Sequence, residues 1–237
     1  MRAPVSRRAR PAKAPLSRDV IIETGLRVLD REGLAALTMR RVAQELDTGA
    51  ASLYVYVANR DDLMTAMLDH VLGTVPDPTP ADRPAAKGAV KTGTGDGNWR
   101  EQLDALVDAS VAVMSRHEGL ALVALGAIPT SPNALALLER MLTLLDEAGL
   151  DARTRAWAVD LLYLYITAQA AEQSAYRVKG GDVEGTVAAA QQVIDALPAD
   201  RYPMITGLRE QMLTGGDARE VWALRVLING ILATPAR

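Results

Sequence analysis

Apolar residues recur every three or four positions along most of this chain, and no segment shows the alternation of apolar and polar residues that is typical of strands. Three residues that commonly cap helices, Ser17, Thr38 and Asn59, precede such runs in the first third of the chain. The pattern predicts four helices there, between Ser17 and Gly33, from Met39 to Leu46, from Ala50 to Val57, and from Asn59 to about Leu72.

Residues 73–98 break this pattern, because they are rich in proline and glycine and poor in large apolar side chains, and they predict a flexible linker. A loop is also expected between Pro198 and Pro203. The helical pattern otherwise resumes, over residues 99–116, 120–125, 133–148, 152–176, 183–197 and 218–232. The expected fold is all-α, with a disordered basic arm (1–16), a small helical unit (17–72), the flexible loop (73–98) and a larger helical unit (99–237).

Two of the predicted helices, 152–176 and 218–232, carry apolar residues on every side of their middle turns. A helix of this kind must be covered on every side. Pairing with the same helices of a second chain would form a four-helix bundle, so we expect a homodimer. Cover by neighbouring helices of the same chain is the alternative.

Composition excludes several classes of protein. The chain has no cysteine and only two histidines, His70 and His117, which excludes a disulfide scaffold, a thiolate zinc site and a three-histidine metal site. No nucleophile motif, phosphate loop or metal-ligand spacing is present, so we expect no catalytic residue, cofactor or metal. The longest uncharged run is interrupted at Pro129 and Pro132, and the arginine-rich start lacks the apolar core of a signal peptide, so we expect a cytoplasmic protein without a membrane span.

Charge is unevenly distributed along the chain. The net charge is −3, yet residues 1–18 carry six Lys or Arg side chains and no acidic one. A basic arm on an acidic protein indicates a polyanionic partner. A solvated tail without a binding role is the alternative.

The segment from Thr38 to Asn59 has the spacing of a helix-turn-helix, with a three-residue turn, Asp47 to Gly49, between two short helices. The second helix would present small, hydroxyl and apolar side chains to a major groove about 12 Å wide, where hydroxyls bind phosphate or base acceptors and apolar groups touch thymine methyls. The two helices would be held together by Val42, Ala43, Leu46, Leu53 and Val57. A generic three-helix core whose tyrosines pack is the alternative.

Residues 18–72 resemble the DNA-binding domain of TetR-family transcriptional regulators. The matching segments are Gly33 to Thr38 with Arg40, Val42, Ala43 and Leu46, then Ser52 to Val57, then Asn59 to Leu63. Asp47 stands where the family usually has the turn glycine, and Asp tolerates the left-handed backbone that such a turn needs. Gly49 replaces a common capping residue, which favours a looser start of the recognition helix. Candidate DNA contacts are Thr38, Met39, Arg40, Ala50, Ala51, Ser52, Tyr54, Val55, Tyr56 and Arg60.

Residues 125–130 and the helix that follows resemble the tetracycline-repressor type of ligand-binding domain. The family's drug-magnesium histidine falls on Ala124 and an arginine position on Ile128, so we do not expect a metal-tetracycline ligand. The resemblance implies a pocket for a small, largely apolar effector. Candidate lining residues are Met114, His117, Ile128, Met141, Trp157, Leu161, Tyr165, Gln169 and Gln173. Bonding of His117 to helix carbonyls and packing of the tyrosines are the alternatives.

The sequence therefore predicts a ligand-responsive transcriptional regulator, a repressor that binds a palindromic double-stranded DNA operator as a dimer and leaves it when a small molecule binds. A helical-bundle enzyme that uses the larger unit's pocket is one alternative. A DNA-binding protein that responds to no effector is the other, although DNA binding alone would not need so large a second unit.

Overall fold

The computed structural model describes residues 15–77, 98–117, 119–178 and 183–236, and these residues form helices and connecting turns. Most of the expected arm and most of the expected linker lie outside the described residues, as does Gly180-Gly181. The helices are α1 (Arg18–Glu32), α2 (Met39–Glu45), α3 (Ala50–Leu53), α4 (Arg60–Leu72), α5 (Trp99–Met114), α6 (Leu120–Leu125), α7 (Pro132–Glu147), α8 (Ala152–Val178), α9 (Val183–Asp195), α10 (Pro203–Gly207), α11 (Arg209–Leu213) and α12 (Gly216–Ala233).

The structure divides into two compact units whose boundary lies between Met67 and Leu68, inside α4. In the first unit, α1 packs against α2 and α2 against α3. The expected helix ends are confirmed, because the Ser17 hydroxyl accepts from the Val20 amide at 3.2 Å and Gly33 ends α1 with φ 78°. The Thr38 hydroxyl likewise caps α2 by accepting from the Arg41 amide at 3.1 Å.

The turn between α2 and α3 forms with Asp47 in the left-handed region, at φ 49°. The third helix is shorter than predicted, since regular α-helix ends at Leu53 and residues 54–56 continue as a turn. Its N-cap, Gly49, offers no side chain to accept from the first amides, so the helix begins without a capping bond. The prediction of a helix to Val57 is corrected accordingly.

The second unit is organised around α8, which packs against α5, α6 and α7. Its core contains Leu103, Leu106, Met114, Leu120, Met141, Leu145, Leu162 and Ile166. The middle of α8 is not covered on every side, because Leu162 and Ile166 are buried whereas Leu161 and Leu164 are exposed. Residues 203–213, where no helix was predicted, form the short helices α10 and α11, neither of which contains a buried residue.

The exposed apolar side chains of α8 continue at Trp157, and those of α12 include Val221, Trp222 and Val226. Leu224, Ile228 and Ile231 on the other face of α12 are buried. Each helix therefore has one apolar face in the core of its own chain and a second that no described residue of that chain covers. Among the described residues, no helix is long and apolar enough to cross a membrane.

Candidate nucleic-acid interface and effector unit

The second half of the helix-turn-helix is anchored by two buried side chains, Leu53 and Val57, against a first helix that buries Val42 and Ala43. The turn is closed by backbone bonds, with the Thr48 amide donating to the Ala43 carbonyl at 2.9 Å and the Asp47 amide to the Gln44 carbonyl at 3.0 Å. Leu53 is fully buried whereas its neighbour Tyr54 is 54% exposed, so a single residue step separates the core from the surface.

The outer surface of this segment presents small, hydroxyl and apolar side chains, which are the types expected from the sequence. Val55 is 80% exposed, Tyr56 is exposed, and Ala51 and Ser52 lie on the same open side, with Ala50 half-buried. The segment from Thr48 to Ala58 contains no charged side chain. Hydroxyl and apolar groups on an open surface can approach base edges closely, the hydroxyls as donors and acceptors and the methyls against thymine.

The three candidates at the start of α2 have different surroundings. Thr38 and Arg40 are exposed, and the Thr38 hydroxyl already accepts from the Arg41 amide. Met39 departs from its expected place, because its side chain is only 7% exposed and belongs to the core of the first unit. A buried side chain of this kind supports the helix and does not present a surface to DNA.

Arg40 and Arg41 are adjacent in sequence but have opposite environments. The Arg41 guanidinium donates to Glu32 through Nε at 2.9 Å and to Glu45 through Nη2 at 2.8 Å, and Arg31 pairs with Glu45 at 3.0 Å. Hydrogen bonds from Arg31 and then Arg41 lower the pKa of Glu45 to about 2. This ion network joins α1 to α2, whereas Arg40 has no ionic partner among the described residues.

Arg60, one of the candidate DNA contacts, donates through Nε to the Leu37 carbonyl at 2.7 Å and through Nη2 to the Leu34 carbonyl at 3.0 Å. It therefore ties the start of α4 to the segment that precedes α2. The same end of α4 is capped reciprocally, since the Asp62 amide donates to Asn59 at 2.8 Å and the Ala58 amide to the Asp62 carboxylate at 2.7 Å. The sequence showed the cap, but it contained no signal for the long-range bonds of Arg60.

The structure places the nine effector candidates in several different surroundings. Met114 and Met141 are buried in the core, whereas Ile128, Trp157 and Leu161 are exposed, and His117 is half-buried after α5. The remaining three, Tyr165, Gln169 and Gln173, form a polar stripe on α8.

This polar stripe meets α12 at Glu220. The Tyr165 hydroxyl donates to the Glu220 carbonyl at 3.4 Å, and the Gln173 amide donates to the Glu220 carboxylate at 3.3 Å. Burial, followed by the Glu220 charge, raises the pKa of Tyr165. The stripe thus has partners in its own chain in this conformation.

An open cleft of about 750 Å³ lies between α9 and α11, and none of the nine candidates is among its lining residues. Val187, Gln191, Arg209 and Leu213 are among its lining residues. No cluster of histidine and carboxylate side chains suited to a metal ion occurs within the described part of the chain.

Two family models match the chain. The model of bacterial regulatory proteins of the tetR family matches residues 21–67, and the model of the tetracyclin repressor-like C-terminal domain matches residues 92–234. The chain belongs to the TetR family. The first match covers most of α1 through Met67 of α4, and the second covers α5 to α12, so both units of this TetR-family protein are accounted for.

Individual relatives agree with this assignment. The chain is 34% identical over 209 residues to the HTH-type transcriptional repressor DrrR1 of Streptomyces coeruleorubidus, which spans 85% of this chain and 73% of the relative. It is 35% identical to Streptomyces coelicolor ActR in complex with (S)-DNPA, with a TM-score of 0.77 over 93% of this chain and 98% of ActR. For ActR in complex with actinorhodin the identity is 36%, the TM-score 0.77 and the coverage 93% and 97%. The prediction of a TetR-family transcriptional regulator is therefore confirmed.

Proposed function

We propose that this protein is a repressor that binds a palindromic DNA operator as a homodimer and is released by a small, largely apolar effector held in the second unit. The observation that carries the proposal is the open face of Ala51, Ser52, Tyr54, Val55 and Tyr56, which stands on a buried Leu53 and Val57. Arg40, which has no ionic partner among the described residues, lies at the start of the preceding helix.

The DNA contacts would combine two kinds of interaction. Arg40, at the N-terminal end of α2, suits a phosphate or a guanine edge, and the uncharged face of α3 and its following turn suits base edges in the major groove. Because Met39 is buried and Arg60 binds two carbonyls, we assign these two residues to supporting the surface, and the remaining eight candidates to contacting the operator.

The second copy would cover the apolar faces that the chain leaves open. Trp157, Leu161 and Leu164 lie at three- and four-residue steps on α8, and Trp222 and Val226 lie four apart on α12. Large aromatic residues on exposed helical faces are the side chains that dominate protein interfaces. Twofold pairing would present two recognition surfaces, which fits half-sites about 34 Å apart on one face of a duplex.

Effector binding would act through the helices around α8. ActR, similar over nearly the whole chain, has been solved with (S)-DNPA and with actinorhodin, which supports a small-molecule role for the second unit here. Seven of the nine candidates remain our proposed effector contacts, whereas we assign the exposed Trp157 and Leu161 to the dimer surface. Several of these seven must change partners to share one pocket. A shift from 99% to 1% operator-competent protein requires about 5.5 kcal/mol of differential effector affinity.

The basic arm would increase the affinity for DNA independently of the base sequence. Lys and Arg side chains near phosphates release counterions, so they increase binding in a salt-dependent way. Deleting residues 1–16 is expected to weaken operator binding and to flatten the dependence of log Kd on log salt. An unchanged affinity and slope would show that the arm is a tail without a DNA role.

The proposal is tested by selecting bound sequences from random duplexes, followed by competition with small molecules against the selected site. We expect a palindromic sequence, bound at one dimer per duplex, and release by a compound that also raises the melting temperature of the free protein. Actinorhodin and (S)-DNPA are the first probes. Selection of no common sequence would contradict the operator, and operator binding with neither release nor thermal shift across a broad screen would indicate an effector-independent DNA binder.

A further inference from the structure

The last turn of α4 carries an acidic residue in a position that is unfavourable for its own helix. Asp69 lies near the C-terminal end of α4, where the helix dipole disfavours a negative charge. Helix α7 has the opposite need, because its N-cap residue Ser131 makes no side-chain capping bond. The first amides of α7 therefore require an acceptor from elsewhere.

Asp69 supplies that acceptor. The Asn133 backbone amide donates to Asp69 Oδ1 at 2.8 Å, and the Asn133 side-chain amide donates to the Asp69 carbonyl at 2.9 Å and to Oδ2 at 3.2 Å. The carboxylate thus caps α7 from α4, with its charge at the favourable end of the α7 dipole. Separation of the two helices would leave an α7 amide and two side-chain donors without these partners.

A second attachment lies two turns further along α7. Arg140, seven residues after Asn133 and so on the same face, donates to the Pro76 carbonyl at 2.6 Å and pairs with Asp77 at 2.9 Å. Between the two attachments, a Cβ added at Gly73 would lie 2.8 Å from the Asn133 side-chain nitrogen. The turn after α4 therefore follows the surface of α7 closely.

We propose that Asp69 and Asn133 are positioning residues that fix the orientation of α4 on α7, and that Arg140 extends this α4–α7 clamp along the following turn. The inference rests on the proposed function, in which the first unit binds DNA and the second binds the effector. Helix α4 belongs to both, because its N-terminal part lies in the first unit and its C-terminal part in the second. A fixed α4 sets the spacing between the two recognition surfaces of a dimer. The clamp therefore determines which half-site spacing the protein accepts.

The test compares clamp variants with a matched control on duplexes whose half-site spacing is the selected one or one base pair longer or shorter. The wild type is expected to prefer the selected spacing by about tenfold or more, since half-site separation is a geometric constraint of helix-turn-helix dimers. Asn133→Ala and Asp69→Asn reduce that preference to about threefold or less, because α4 is then free to tilt. Gly73→Ala, which displaces the Asn133 amide sterically, has the same effect.

The control is Glu139→Ala, at an exposed position of α7 whose side chain has no hydrogen bond or ion pair to α4 among the described residues. This control variant is expected to keep the wild-type preference for the selected half-site spacing. The exchanged pair Asp69→Asn with Asn133→Asp restores part of the preference, because the side-chain bond is re-formed with the donor on α4. Hydrogen exchange of the free protein checks the cause, with faster exchange of residues 69–77 in the clamp variants and not in the control.

An unchanged spacing preference in Asn133→Ala and Asp69→Asn, with unchanged exchange of residues 69–77, would overturn the clamp while leaving the proposed function intact. Loss of folding in all clamp variants, the exchanged pair included, would overturn it too, because the pair would then be a requirement for folding. If the wild type selects no operator, the proposed function fails first, and the spacing role fails with it.

Discussion

The two units of this protein use their exposed apolar side chains differently. In the first unit, Tyr54 and Val55 are exposed on a short helical segment with hydroxyl and small neighbours, which suits the edges of base pairs. In the second unit, Trp157 on α8 and Trp222 on α12 are exposed on long helices, which suits a broad protein interface. Exposure alone therefore does not distinguish the proposed DNA surface from the proposed dimer surface, and we assign the two surfaces from the length of the element and the chemistry of the neighbouring side chains.

In the first unit, replacing the adjacent residues Leu53 and Tyr54 one at a time distinguishes the effect of losing a core side chain from the effect of losing a surface side chain. Leu53→Ala removes a fully buried side chain and is expected to destabilise the protein by about 2–5 kcal/mol. Tyr54→Ala is expected to leave the melting temperature within a few degrees and to abolish operator binding. Thermal unfolding and fluorescence anisotropy on the selected operator measure the two effects.

Tyr54→Phe is the matched control for that pair, because it keeps the ring and removes the hydroxyl alone. A loss of operator affinity equal to that of Tyr54→Ala would assign the effect to the hydroxyl. Wild-type operator affinity in Tyr54→Ala would contradict the assignment of this segment to DNA.

The dimer surface is tested by replacing the exposed tryptophans. Trp157→Ala and Trp222→Ala are each expected to weaken dimerisation by about 2 kcal/mol or more, roughly thirtyfold in the dimer dissociation constant, because buried tryptophans at an interface carry much of its binding energy. Sedimentation at several concentrations reports the change. Since Ile128 is also exposed but lies outside α8 and α12, Ile128→Ala is the control and leaves dimerisation unaltered. A wild-type chain that is monomeric at micromolar concentration would refute the twofold arrangement.

Replacing the neighbouring arginines of α2 is expected to have two smaller effects, one on operator binding and the other on the melting temperature. Arg40→Ala is expected to weaken operator binding and to reduce the slope of log Kd against log salt by about 1, as for the loss of one phosphate contact, without changing the melting temperature. Arg41→Ala is expected to lower the melting temperature, because Glu32 and Glu45 lose their partner, while the salt slope stays unchanged. The reverse assignment of the two effects would show that the ion network faces DNA.

The smallest effect concerns pH. The folded-state pKa of Glu45 is lowered from its ordinary value of 4.5 to about 2 by Arg31 and Arg41. A depressed carboxyl pKa stabilises the fold above the unfolded-state value, and the contribution is lost as the pH falls from that value towards about 2. The difference in melting temperature between the wild type and Glu45→Gln is therefore expected to be largest above pH 5 and to shrink towards pH 2. A difference independent of pH would assign the effect to packing.

The first unit was the more predictable one because its signals are local. Ser17, Thr38 and Asn59 cap the helices that follow them, and Asp47 adopts the left-handed turn that its position required. Each depends on atoms within about four residues, which a single sequence displays directly. The start of α3 at Ala50 was predicted correctly, but its end was not, because a turn at residues 54–56 replaces the last predicted helical residues.

In the second unit the sequence predicted most of the helices, but it predicted neither the short helices α10 and α11 nor which side chains are buried. Helical spacing indicated α5, α6, α7, α8, α9 and α12 within a few residues, since burial of one face imposes that period. It missed α10 and α11, which contain no buried residue and so carry no such period. It also grouped Met114 with Trp157 as pocket residues, whereas the structure buries the first and exposes the second.

By itself, the sequence determined the helical class, the caps, the helix-turn-helix and the family, because all of these are written in short-range spacing or in a shared run of residues. Tertiary structure alone decided which of two adjacent arginines joins the ion network of the described residues, that Met39 is buried, and that Arg60 binds carbonyls 23 and 26 residues away. It alone joined Asp69 to Asn133 across 64 positions. Such pairs are chosen by the packing of helices in space, and no periodicity along the chain records which distant side chains will meet.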